Sequence, residues 1–304
     1  MDLIKRILLS LVFILFLPSV LIADVLDDEL PGNVPVQVKE KAREVIRLGV
    51  ENQGIIKMTQ IMLQNRFSEK QMIRAYEIVG EARKNGLPEE PVMDKLYEGI
   101  GKRIQSENII MAMEKVQERY KTASQYAHQM SSNNEQAGVL TQQVAECMSA
   151  GMTDKHIDRM SRTLSSLKTQ NSSEKTSLQI QTLRTAKTMA RLGATSQSVA
   201  DAVQTALQSG YNQNNMKRLE NAFVVQARAR YNPTQIAESF SRGISSGVSV
   251  DDLGQRNYMN SGNAMGVNSY GNGAGTGTGQ RGTGGSTGGS GSGGSGRGSG
   301  GGRR

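Results

Sequence analysis

Residues 186–199 read Ala-Lys-Thr-Met-Ala-Arg-Leu-Gly-Ala-Thr-Ser-Gln-Ser-Val, and the architecture follows from them. Ala186, Met189 and Ala190 lie three and four apart, an apolar stripe on one helical face that stops at Gly193. A glycine just past a last turn takes the left-handed backbone cheaply and satisfies orphan carbonyls. Ser196 then offers a side-chain oxygen to start a new helix, and Val199 restarts the apolar pattern. The stretch is one helix stopping and another beginning.

Four other segments align with it without gaps. With the helix-ending residue as origin, the set is Gly49-Val50-Glu51-Asn52, Gly86-Leu87-Pro88-Glu89, Gly151-Met152-Thr153-Asp154, Gly193-Ala194-Thr195-Ser196 and Arg230-Tyr231-Asn232-Pro233. Six residues beyond each origin stands a β-branched aliphatic residue: Ile55, Val92, Ile157, Val199 and Ile236. Seventeen residues beyond each origin a second turn is expected, at Arg66, Arg103, Lys168, Gly210 and Gly247. Ser68 with Gln71 has the spacing of a capping box, Thr153 is a good cap, and Asn232 precedes Pro233 at a first helical position. Apolar stripes also precede Gly86 (Ala75, Val79, Ala82) and Gly151 (Leu140, Val144, Cys147).

Origins recur after 37, 65, 42 and 37 residues, and the long interval accommodates one extra helix, Ser106–Ser131, followed by Glu135–Ala150. The fold expected is all-α: an irregular α-solenoid of stacked helical hairpins with repeats of about 37–42 residues. No period-2 run interrupts it, aromatic content is 4% and Trp is absent, which argues against an all-β core. The Trp/Gly/Tyr pattern of tetratricopeptide repeats is not found.

The ends differ from this body. Lys5-Arg6 followed by the apolar run Ile7–Leu17, Pro18 and the small residue Ala23 reads as an export signal over residues 1–23. An uncleaved anchor is the alternative, because Ile7–Ala23 is at the short edge for spanning a bilayer. Residues 24–35 form an acidic lead-in expected to be flexible, and 36–253 the helical repeat domain. From 254 to 304, 21 of 51 residues are Gly, a composition that cannot bury enough apolar surface to order itself. That tail holds five Arg and no acidic residue, so residues 24–253 carry only 29 basic against 27 acidic residues. The formal charge of +8 therefore does not imply a nucleic-acid groove, and nucleic acid is not expected as a partner.

Chemistry is sparse. One Cys and two His exclude a disulfide scaffold and a cysteine-rich zinc module, and no metal or cofactor is expected. Cys147 falls in a helix stripe and reads as a buried small hydrophobe, although His156 nine residues on leaves a Cys–His pair open as a trace of an unrecognised hydrolase. The fifteen Met read chiefly as core filling. Asn171-Ser172-Ser173 is a glycosylation sequon, relevant only in a eukaryotic source.

The function expected is a non-enzymatic, exported scaffold in the periplasm or outside the cell, binding a protein or peptide partner. Exposed residues on the longer helices, Tyr76, Arg83, Tyr120 and Arg184, are the candidate partner contacts. The alternative is an envelope structural protein whose tail arginines, Arg281, Arg297, Arg303 and Arg304, meet an anionic polymer.

Overall fold

A computed structural model describes residues 30, 32–167, 171–255 and 258–260. All belong to one compact unit that ends at Asn268. The described residues form twelve α-helices and a single 3-10 turn, with no strand among them. In chain order the helices are α1 Val36–Arg47, α2 Asn52–Gln64, α3 Glu69–Lys84, α4 Glu90–Gly101, α5 Ser106–Met130 and α6 Asn134–Ser149. There follow α7 Asp154–Ser165, α8 Ser172–Arg191, α9 Ser196–Gln208, α10 Gln213–Arg228, α11 Pro233–Ser245 and α12 Val250–Leu253. The 3-10 turn is Tyr258–Asn260.

The turns are where the sequence spacing becomes geometry. Among the described residues, nine have positive φ: Gly49, Gly86, Gly151, Gly193 and Arg230, then Arg66, Arg103, Gly210 and Gly247. These are the five aligned origins and four of the five second turns; Lys168, the remaining position, lies outside the described residues. Eight of the nine close in the same way. At Gly193, for instance, the glycine N–H donates to Ala190 O (2.9 Å) and the Ala194 N–H to Met189 O (3.1 Å). This pair of hydrogen bonds is the Schellman arrangement, which satisfies helix-end carbonyls that would otherwise be orphaned. The following residue folds back into the core at Val50, Phe67, Leu87, Met152 and Ala194.

Helix starts follow the chemistry of their caps. Ser68 and Gln71 form the reciprocal capping box, and Asn232 Oδ1 accepts from the N–H groups of Thr234 and Gln235. The α9 cap is Thr195, one residue before the expected Ser196, because the Thr195 side chain accepts from the Ser198 N–H.

Packing joins helices two apart in the chain. α1 lies on α3, and α6, α8, α10 and α12 pack in succession. α7, α9 and α11 do the same on the other side. The long helix α5 touches α3 and α4 with its first half and α6 and α7 with its second. It spans the interval where the sequence spacing is widest. Ile55, Val92, Ile157, Val199 and Ile236 are all fully buried, and burying each such side chain contributes about 1.5–3 kcal/mol. At Gly99 an added Cβ would fall 2.6 Å from Ile109 Cγ1, so the glycine lets α4 and α5 approach closely.

Both expected domain boundaries shift outward. Leu30 and Val34, in the supposedly flexible lead-in, are buried against the core. In the supposed tail, Tyr258 and Met259 are also buried. The Tyr258 ring meets Phe240 edge-on at 5.8 Å, and its hydroxyl donates to Ser239 O at 3.1 Å. Glycine-rich composition hid these residues, because one aromatic anchor outweighs the entropy of a few ordered neighbours. The signal or anchor segment and residues 261–304 lie outside the described residues.

Candidate functional site

The expected partner contacts separate on inspection. Tyr76 and Tyr120, read as exposed, are buried. Tyr76 makes a short hydrogen bond to Thr59, whose hydroxyl also meets Ile55 O at 2.7 Å. Burial pushes the phenol of Tyr76 well above its ordinary range, and that of Tyr120 upward in the same direction. Neither ring can touch a partner. A tyrosine on a helical stripe looks the same in sequence whether its face meets water or a second helix. Arg83 is exposed but occupied: its Nε donates to Leu48 O at 3.4 Å, closing the end of α1, and its Nη1 lies 3.7 Å from Glu89. Arg184 is exposed on α8 and has no hydrogen-bond or ion-pair partner among the described residues. The tail arginines Arg281, Arg297, Arg303 and Arg304 fall outside the described residues.

Cys147 and His156 have separate partners. The Cys147 Sγ–H donates to Leu183 O at 3.1 Å, and burial pushes the thiol up to about 12. His156 is held at the turn edge instead. Gln197 Nε2 donates to Asp201 Oδ2 at 2.7 Å, which leaves Gln197 Oε1 facing His156 Nε2, also at 2.7 Å. In the neutral ring the proton therefore sits on Nε2, and Nδ1 accepts from Ser196 Oγ at 2.7 Å. A Ser–His contact invites a catalytic reading. Its setting argues for structure: Ser196 Oγ also accepts from the Thr153 N–H (3.0 Å), tying one turn to the next. The equivalent bond one turn further on, Thr195 N–H to Thr234 Oγ1 at 3.2 Å, involves no histidine. No cluster of three or more His, Cys, Asp or Glu placed to hold a metal ion occurs among the described residues. No helix among them is long and apolar enough to cross a membrane.

What stands out is charge along one edge. The turns at origins 151, 193 and 230 are pinned side by side by the two bonds just described. Two residues before each origin on this edge stand Arg47, Lys84, Ser149, Arg191 and Arg228. Basic residues there complement helix C-termini, which is the ordinary structural reason for them. The early turns are nevertheless charge-compensated, since Lys84 pairs with Glu44 at 3.4 Å and Arg83 with Glu89. The last two are not. Between 191 and 197, and between 228 and 235, there is no carboxylate. Arg191, Arg228 and Arg230 are exposed and have no ion-pair partner among the described residues. Arg184, seven residues before Arg191, lies on the same face of α8, and the exposed Lys217 on the same stripe of α10 as Arg228.

Glu146 on α6 and Glu220 on α10 are committed to the seams with α8, and the one carboxylate of α8, Glu174, is exposed in its first turn, far from Arg184 and Arg191. Lys187 Nζ meets Glu146 at 2.5 Å, and Glu220 accepts from Gln181 (2.8 Å) and Thr188 (2.6 Å). The sequence reading missed Arg191, Arg228 and Arg230, although the fixed offset before each origin was a usable signal. Near-neutral charge over the whole body masked a local excess.

No protein-family model, no curated protein and no solved structure matches this chain.

Proposed function

We propose that the helical body is an irregular α-solenoid of stacked hairpins acting as a non-enzymatic scaffold. It engages a protein partner through the basic face of α8 and α10, and residues 1–23 direct its export. The observation that carries this reading is the recurrence of left-handed turns at the spacing of the sequence repeat, with helices packed two apart. Stacks of this kind present a row of equivalent side chains on each face, a geometry suited to an extended partner. The uncompensated cations Arg184, Arg191, Arg228 and Arg230 give one such row a chemical character. Two observations favour binding over catalysis. The only thiol is buried and protonated, and both ring nitrogens of His156 are engaged in cross-turn bonds.

Affinity capture from an envelope extract with the full chain tests the reading. A specific partner should be recovered with the wild-type chain and retained when Cys147 is replaced by Ala. Recovery of nothing above background, or a catalytic turnover abolished by His156→Ala, would overturn it.

A further inference from the structure

The edge that carries the proposed partner contact has a composition that narrows the partner's chemistry. Interleaved with the arginines are two exposed aliphatic side chains, Leu192 (41% exposed) beside Arg191 and Val225 (38%) one turn before Arg228. Arg191 and Arg228 occupy equivalent positions in helices that pack directly on each other. Neighbouring helix axes lie about 8–10 Å apart. Three residues of extended chain cover about 10 Å. The turns that carry these side chains touch: an added Cβ at Gly193 would lie 3.7 Å from Pro233 Cγ, and Thr195 bonds to Thr234.

Arg230 extends the row. It holds φ +66 where the four sister turns on this edge place glycine, so this turn alone among them carries a side chain at that position, an exposed cation two residues after Arg228.

Resting on the scaffold reading, we infer that this edge binds an extended acidic–apolar peptide segment of a protein partner. Its carboxylates are spaced about three residues apart, with an aliphatic residue between. Arg191 and Arg228 each take a carboxylate through the guanidinium fork, and Arg230 takes the next along the strand. Leu192 and Val225 receive the intervening apolar side chains. A polyphosphate would satisfy the arginines but leave the two aliphatics without a counterpart, and an anionic lipid surface would need a broader apolar face than the two separate side chains Leu192 and Val225 offer, so a peptide fits the surface better.

The test is fluorescence anisotropy with the full chain and a labelled twelve-residue peptide of repeating Asp-Leu-Gly. Asn-Leu-Gly and Asp-Ser-Gly peptides, linear polyphosphate and vesicles of an anionic phospholipid serve as competing probes. The Asp-Leu-Gly peptide should bind, and replacing Asp by Asn or Leu by Ser should weaken it. Arg191→Gln/Arg228→Gln/Arg230→Gln should lower affinity about thirty-fold, as expected for three partly exposed charge pairs. The equal-charge control Lys70→Gln/Lys115→Gln/Lys121→Gln, at exposed lysines on α3 and α5, should stay within two-fold. Rising salt should weaken binding without abolishing the advantage of Leu over Ser.

Equal loss in the control, no difference between Asp-Leu-Gly and Asp-Ser-Gly, or tighter binding of polyphosphate or vesicles than of the peptide would each overturn the inference. If the triple arginine variant still captures a specific partner from extract, this inference fails together with the assignment of the contact to the basic face, and the scaffold role alone survives. Loss of all capture by the wild-type chain sinks the scaffold reading itself.

Discussion

Replacing Arg103 by glycine should make the protein more stable. Arg103 sits at φ +55 at the end of α4, with its N–H donating to Ile100 O at 2.9 Å and the Ile104 N–H to Gly99 O at 3.0 Å. Its side chain is exposed and has no hydrogen-bond or ion-pair partner among the described residues. The left-handed conformation costs an L-residue about 1–2 kcal/mol. Glycine removes that cost but adds about 0.5–1 kcal/mol of unfolded-state entropy. The net gain for Arg103→Gly is about 0.5 kcal/mol.

The reverse substitution calibrates the argument. Gly86 (φ +67) and Gly151 (φ +102) have no atom within 4 Å of an added Cβ, so alanine there meets only backbone strain. Gly86→Ala should cost about 0.5–1 kcal/mol, since φ +67 is within the left-handed basin open to alanine. Gly151→Ala should cost about 1–2 kcal/mol, because φ +102 lies beyond that basin. Urea unfolding followed by circular dichroism at the helical band measures all three. The slope should stay constant, so that midpoint shifts report stability. In a body this size each kcal/mol moves Tm by about 2–4 °C. A lower midpoint for Arg103→Gly, or an unchanged one for Gly151→Ala, would refute the account of these turns.

Other outcomes follow from the buried polar contacts and the ends. Thr59→Val should cost about 1–3 kcal/mol by stranding the buried Tyr76 hydroxyl, whereas Thr59→Val with Tyr76→Phe should recover much of that loss; a double-mutant unfolding cycle reads the coupling. Stability should fall as pH rises from about 9 towards 12. Cys147, held near 12 when folded, and Tyr76, raised by burial, stay protonated in the native state while the unfolded chain releases those protons, so the folded state binds more protons over that window. Unfolding midpoints at pH 8 and pH 10.5, compared with Cys147→Ala, check the sign. A chain ending after Asn260 should unfold at the same temperature as the full chain. One ending after Gly254 should unfold several degrees lower, because it lacks the Tyr258 ring packed on Phe240; scanning calorimetry separates the two.

The stops were readable because a left-handed residue leaves a chemical trace. Glycine at a fixed offset from a β-branched position is a local signal; it marked four turns, the same offset marked a fifth at Arg230, and all five φ values are positive. The charged edge was half readable. Arg184 was identified, but Arg191 and Arg228 were absorbed into an even balance of charge, and Arg230 counted only as the end of a helix. Tyr76 and Tyr120 were misread as contacts because a helical stripe does not announce which of its faces a second helix will cover.

The amino-acid sequence alone determined that this chain is helical, where most of its helices stop, and that five aliphatic positions recur at one offset, because capping and periodicity are short-range physics. The tertiary structure decided which helices share a seam, that Leu30 and Met259 join the same buried core as the helices between them, and that three arginines without ion-pair partners among the described residues lie along one edge. Those facts depend on contacts between residues some forty positions apart, and nothing local in the chain encodes which neighbour will arrive.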